Sequence, residues 1–243
     1  MRTVAVVQAR MGSTRLPGKV LAVIGDRPLI LWTVAAAMAI PTVGTVVVAT
    51  TTETDDDPLV ELLAAEGIDH HRGPVQDVLS RIWDAVSPFE PEYVVRATAD
   101  NPFMDPEVVG LQLRACIDGP FDYVGTAGWP LGIAAEIAPT GALADAYREA
   151  TAPAEREHVM PFIYARTDRY KLGSAPPAEP PPDGRFTVDT PEDLAFARAI
   201  ALRLGPVETC SIDHLRTIIT NEPELLALNA GVRQKPWQEA QQR

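Results

Sequence analysis

Thr3–Lys19 reads TVAVVQARMGSTRLPGK: a β-branched run passes directly into a loop holding two glycines, two hydroxyls and three cations. Thr3–Gln8 is apolar on both of its alternating faces, the pattern of a strand covered by helices on either side. Thr45–Ala49 (TVVVA) repeats it, and Tyr93–Thr98, Phe121–Val124 and Phe186–Val188 supply further strand candidates. Helical stretches lie between or after them, over Pro28–Met38, Pro58–Glu66, Asp77–Val86 and Asp105–Ile117, with a last one running from the strand at 186 to Leu204. Strands alternating with helices of this length predict βαβ units and an α/β fold with a mostly parallel sheet. Asp57-Pro58, Asp105-Pro106 and Thr190-Pro191 each set a capping side chain before a proline suited to a first helical turn. The chain shows no internal repeat, and the proline-dense Ala175–Gly184 reads as a semi-rigid loop rather than a linker. Residues 1–243 are therefore expected to form a single domain, with the last few residues frayed.

Composition narrows the function. The 243 residues, 46% of them hydrophobic, suffice for a sizeable core. The longest apolar candidate, Leu29–Ile40, is too short to span a bilayer and is closed by Pro28 and Pro41. Arg10 interrupts the apolar start before any signal-peptide core develops, so a cytoplasmic protein without a membrane partner is expected. The formal charge of -12 argues against a broad nucleic-acid groove. Cys116 and Cys210, the only cysteines, form no metal-ligand spacing and are expected to be reduced, partly buried thiols.

Against that acidic background the loop after the first strand stands out. Open α/β sheets hold ligands at the carboxyl ends of their strands, where this loop begins. Gly12 and Gly18 permit close backbone approach, Ser13 and Thr14 offer hydroxyls, and Arg10, Arg15 and Lys19 bring positive charge. Backbone N–H groups together with such cations suit the phosphates of a nucleoside triphosphate. The spacing is neither that of a Walker A loop nor that of GxGxxG. Asp100, just past the strand ending at Thr98, and Asp189, just past Val188, stand at strand ends that a parallel sheet can turn to one crevice. Two carboxylates and a triphosphate are a hard oxygen set suited to Mg2+. Helix capping is the competing reading of Asp189. The run Asp55-Asp56-Asp57 reads as a solvated turn with no chemistry.

The loop resembles the opening signature of the cytidylyltransferases that make CMP-activated acidic sugars, the CMP-KDO synthetase type, and more closely their SpsF-like branch of spore-coat polysaccharide biosynthesis. Segments along most of the chain carry the likeness: VVATTTETDDDPLVELLAAEG from residue 47, HRGPVQDVL from 71, RATADNPFMDP from 96, EHVMPFIY from 157, TVDTPEDL from 187 and NAGVRQKP from 229. The resemblance implies a three-layer α/β/α sandwich with a mixed, mostly parallel sheet, like the nucleotide-diphospho-sugar transferases. It implies CMP transfer from CTP to an anionic small-molecule acceptor, an acidic sugar or a phosphonate, in a homodimer. CTP would contact Ala9, Arg10, Met11, Gly12, Ser13, Arg15, Lys19, Arg72 and Thr98, with Arg10, Lys19 and Asp100 catalytic and Asp100 and Asp189 holding Mg2+. Arg72, Arg96, Tyr123, Glu136 and His158 would face the acceptor, and Trp129–Glu136 occupies the family's substrate-selecting stretch. An arginine such as Arg96 inside an apolar strand is seldom idle, whereas His158 is also readable as a structural histidine. Arg81 is a further candidate for the acceptor side, with an ion pair to Asp77 one helical turn away as its alternative. Two other functions share these features: a glycosyltransferase using a nucleotide sugar, and a non-catalytic nucleotide-binding protein.

Overall fold

A computed structural model of the chain describes residues 1–234. The fraying expected at the chain's end, and the last two residues of the NAGVRQKP motif, fall on residues 235–243 and lie outside that description.

Nine strands and nine α-helices follow one another along the chain. They are β1 (Thr3–Gln8), β2 (Val23–Ile24), β3 (Arg27–Pro28), α1 (Leu29–Ala39), β4 (Thr45–Thr51), α2 (Asp57–Ala65), β5 (His70–Gly73), α3 (Val78–Val86), β6 (Tyr93–Thr98), α4 (Pro106–Asp118), β7 (Tyr123–Val124), β8 (Glu136–Pro139), α5 (Thr140–Glu149), α6 (Pro153–His158), α7 (Pro161–Tyr164), β9 (Leu172–Gly173), α8 (Pro191–Leu204) and α9 (Ile212–Asn221), all within the described residues. Seven strands form one sheet in the order β5-β4-β1-β6-β8-β7-β9, and β2 and β3 make a small separate ribbon. β5, β4, β1 and β6 run parallel, while β8 is antiparallel to both β6 and β7. The sheet is thus mixed and mainly parallel, with helices on both faces.

The alternation along β1 explains the layers. Ala5 and Val7 face α1, α2 and α4 through Ile30, Val34, Leu59, Leu63, Val109 and Leu113. Val4 and Val6 face the opposite way, onto Leu79, Ile82 and Val86 of α3 and Leu143 and Ala146 of α5. Near-continuous apolar strands are what a sheet buried on both sides requires. A third cluster joins α8 and α9 to Trp32, Phe103, Ile133 and Phe186 beyond the sheet. Among the described residues no helix is long and apolar enough to cross a membrane.

β1 has β4 on one side and β6 on the other, with Gln8 in register with Ala49 and Thr98. The strand order reverses there, so the loop leaving β1 opens over the crevice where such sheets bind ligands. The helix caps follow their sequence signals closely. Asp105 accepts from the N–H groups of Glu107 and Val108, and Thr190 forms a capping box with Asp193. At the start of α2 the cap position falls on Asp56 rather than Asp57.

One expected strand is corrected. Phe186–Val188 is extended but joins no sheet, because the free edge of β6 is already paired with β8, Arg96 opposite Glu136. The segment instead crosses the loop after β6: the Val188 N–H donates to the Asp100 carbonyl at 2.8 Å and the Phe186 N–H to the Leu131 carbonyl at 2.8 Å.

Candidate active site

The β1 loop is pinned at Met11. The Met11 N–H donates to Asp56 Oδ1 at 2.7 Å. Its carbonyl accepts from the N–H groups of Ser13 (2.8 Å) and Gly18 (3.0 Å). Gly18 adopts φ +71°, the left-handed conformation that glycine reaches without a Cβ penalty, and this starts the short 3-10 turn Lys19–Leu21. Gly12 is different: a Cβ there would meet nothing within 4 Å, so internal packing does not require a glycine at that point.

Asp56 corrects the reading of the acidic run. Far from being solvated, it is 1% exposed. Besides Met11 it accepts from the Thr50 hydroxyl (2.8 Å), the Thr51 N–H (2.9 Å) and the Thr51 hydroxyl. Burial pushes its pKa up, but these hydrogen bonds outweigh burial and hold the carboxyl below its ordinary value. Asp56 therefore fixes the β1 loop to the end of β4.

A cavity of about 260 Å3 opens between the loop and the tips of β1 and β6, and Arg10, Gly12, Ser13, Arg15, Lys19, Thr98, Asp100 and Asp189 all line it. Lys19 is its centre. Its ammonium donates to Asp100 Oδ2 at 2.8 Å, to the Val188 carbonyl at 2.8 Å and to Asp189 Oδ1 at 2.9 Å. Burial opposes the ammonium, but Asp100 and Asp189 outweigh it and hold the Lys19 pKa above its ordinary value. Burial likewise opposes the Asp189 carboxylate, and Lys19, Arg15 and Arg185 more than offset it, keeping its pKa low. Arg15 and Arg185 reach Asp189 Oδ2 at 3.0 and 2.6 Å. Asp189 does not cap α8; Thr190 does. The segment 186–188, crossing the Asp100 loop, carries Asp189 to Asp100.

Two carboxylates that bind one ammonium at these distances can bind one divalent ion of the magnesium type. Among the described residues no group of three or more His, Cys, Asp or Glu is placed to hold a metal. Phosphate oxygens and water would complete the coordination, as is usual for Mg2+.

A smaller cavity of about 130 Å3 adjoins the first, sharing Thr98, and is walled by Arg96, Asn101, Glu136, residues 130–132 and residues 134–135. Arg96 forms an ion pair with Glu136 and donates to Gln8 Oε1 at 2.7 Å. The Tyr123 hydroxyl donates to Glu136 Oε1 at 2.7 Å. Burial first, and then Glu136, push the Tyr123 pKa up, so this hydroxyl stays a donor. Burial pulls the His158 pKa down and Arg96 adds to it, against the opposing charges of Glu157 and Glu136. Gly132 (φ +100°) packs backbone to backbone on the Asp189 segment, since a Cβ there would lie 2.6 Å from the Phe186 carbonyl carbon.

Arg96, Tyr123, Glu136 and His158 thus come together. Arg72 does not join them: it donates to the carbonyls of Thr51 and Glu53, both at 2.8 Å, and pairs with Asp57 at 2.7 Å. It braces the turn carrying Asp56, which in turn holds the β1 loop. Ala9 lines the larger cavity, whereas Met11 acts as the loop's strut. The Arg81–Asp77 pair is not the one formed. Asp77 binds Arg156 (Nε 3.0 Å), while Arg81 donates to the Pro74 carbonyl at 2.6 Å. Sequence reasoning passed over Gln8, which lines the larger cavity and accepts from Arg96, a wall of the smaller one, and Arg185, whose four-residue spacing to Asp189 was the available signal.

Comparison with known proteins identifies a family and a fold. A family model described as cytidylyltransferase matches residues 4–220. The chain is similar to the spore coat polysaccharide biosynthesis protein SpsF of Bacillus subtilis, 32% identical over 226 residues that cover 90% of this chain and 94% of that protein. Among solved structures it is similar to a cytidylyltransferase from Leptospira borgpetersenii, with a TM-score of 0.86 and 27% identity over 93% of this chain and 97% of the other. It also shares its fold with a CMP:2-keto-3-deoxy-manno-octonic acid synthetase complexed with CTP, with a TM-score of 0.67 and 18% identity over 84% of this chain and 100% of the other.

Proposed function

This chain belongs to the cytidylyltransferase family, and from that premise we propose that it transfers CMP from CTP to a small anionic acceptor, an acidic sugar or a phosphonate, as a cytoplasmic homodimer whose residues 1–243 act as one nucleotidyltransferase unit. The observation that carries the reading is the convergence of Arg10, Arg15 and Lys19 with Asp100 and Asp189 on one cavity at the carboxyl ends of β1 and β6.

An acceptor oxygen attacks the α-phosphorus of CTP, the bond to the bridging oxygen breaks, and pyrophosphate leaves with that electron pair while the acceptor's proton passes to solvent. Positioning and charge neutralisation carry most of such a reaction. Arg10, Arg15 and Lys19 bind the phosphates and stabilise the departing pyrophosphate. Asp100 and Asp189 would hold Mg2+, which when bound neutralises charge on the reacting phosphate. The expected triphosphate set Ala9, Gly12, Ser13 and Thr98 lines the same cavity; Met11 and Arg72 serve it from behind. Arg96 and Glu136 orient the acceptor in the adjoining cavity, which meets the first at Thr98, and Tyr123 and His158 act on it through Glu136 and Arg96.

Pyrophosphate release, measured with each of the four ribonucleoside triphosphates against a panel of acidic acceptors, tests the reading. CTP alone is expected to support turnover. Release of a nucleoside diphosphate from a nucleotide sugar would instead make the chain a glycosyltransferase, and CTP binding without any turnover would make it a silent binder. The acceptor side has its own check. Tyr123→Phe removes one hydrogen bond to Glu136 and is expected to raise the acceptor KM roughly 2- to 10-fold. The KM for CTP should stay put, and an equal rise in both would remove Tyr123 from the acceptor site.

A further inference from the structure

An ammonium has three N–H donors, and in Lys19 all three are engaged by protein: Asp100 Oδ2, Asp189 Oδ1 and the Val188 carbonyl. The side chain expected to grip the triphosphate therefore already holds the carboxylate pair expected to grip the metal. Lys19 is 8% exposed, so little solvent is available to take over either role. We propose that Lys19 is the resident cation of the Asp100/Asp189 pair in the nucleotide-free enzyme, and that a divalent ion and the triphosphate displace it jointly. The inference rests on the reading of this cavity as a metal–triphosphate site.

Charge explains why neither ligand settles well alone. A triphosphate arriving by itself draws Lys19 away and leaves two adjoining carboxylates beside its own negative charge. A divalent cation arriving by itself must displace a buried ammonium that then has no anion to turn to. Arriving together, they exchange partners: Lys19 passes to the phosphates and the metal inherits Asp100 and Asp189. Arg15 completes the exchange. It lines the same cavity, sits 3.0 Å from Asp189 Oδ2, and retains 29% side-chain exposure with which to turn. Arg185 stays behind as the fixed charge on Asp189, because Asp193 also holds it at 3.1 Å and its side chain is only 12% exposed. The consequence is positive coupling, reciprocal by thermodynamic necessity: triphosphate raises metal affinity by the factor by which metal raises triphosphate affinity.

Removing Lys19 should accordingly improve metal binding by the free protein. Mn2+ is titrated into nucleotide-free protein and free ion is read from its electron paramagnetic resonance signal. Lys19→Met is expected to bind Mn2+ about 5- to 150-fold more tightly than wild type, the range of typical coupling factors. Adding Asp100→Asn to that variant should abolish the gain. A folded Lys19→Met protein with no gain, or wild type binding Mn2+ as tightly as the variant, overturns the proposal. Should the methionine variant not fold, the wild type decides: CTP affinity by calorimetry should fall by a similar factor when EDTA replaces Mg2+, and equal affinities would refute the exchange. A protein that binds no CTP yet gains Mn2+ affinity on loss of Lys19 would support the exchange and sink the functional reading, so the two fail separately.

Discussion

Asp100→Asn is expected to lower the rate of pyrophosphate release roughly 10^3-fold while leaving the fold in place, because metal-borne charge stabilisation is worth several kcal/mol and each ~1.4 kcal/mol is tenfold in rate. The backbone around Asp100 does not depend on its carboxylate. Its carbonyl accepts from the Val188 N–H (2.8 Å) and the Thr187 hydroxyl (3.2 Å), contacts that an isosteric asparagine keeps. What asparagine loses is charge, and one of two acceptors. Oδ1 now takes the Thr98 hydroxyl at 2.6 Å and Oδ2 takes Lys19 at 2.8 Å, and an amide offers a single acceptor oxygen in place of these two. Single-turnover release of pyrophosphate, read beside a thermal melt, separates catalysis from stability. A variant retaining more than about a tenth of the wild-type rate, with an unchanged melt, would remove Asp100 from the metal site.

Several of these features were legible because local chemistry and global position agree. β1, β4 and β6 are apolar on both faces, and that pattern alone placed them in a sheet covered on two sides. The loop cations and Asp100 were readable because each directly follows one of those strands. Asp189 was readable as a residue but not as a position. The sequence shows an extended run at 186–188, yet whether that run pairs with β6 depends on β8, a four-residue strand whose Glu136 gives no strand signal. Once β8 occupies the edge, the run must lie across the Asp100 loop, and this brings the two carboxylates within reach of one ammonium. Arg72 shows a different limit. Its partners are the carbonyls of Thr51 and Glu53 together with Asp57, and backbone acceptors leave no mark in a sequence. Asp56 was hidden by its neighbours, since three consecutive aspartates look solvated; the pair Thr50-Thr51 ending a buried strand was the only hint that one of them turns inward.

That inward aspartate should dominate stability. Asp56→Asn is expected to cost about 3–5 kcal/mol, the effect of stranding several buried donors at once. The amide would have to meet the Met11 N–H, the Thr51 N–H and two hydroxyls with one oxygen, at a residue only 1% exposed. For a chain of this length the melting temperature should fall by roughly 10 °C. Triphosphate affinity should fall with it, because Met11 then loses the bond that sets the loop. The pH dependence identifies the cause. The folded Asp56 pKa lies below its unfolded value of about 3.9. Its stabilisation is therefore fully present above that value and is lost only as pH falls through the lower, folded pKa. Denaturant unfolding of wild type and Asp56→Asn should give a stability gap that is constant from pH 7 to about 5 and begins to close only below about 4. A gap that already narrows between pH 7 and 5 would assign the loss to some group other than this carboxylate.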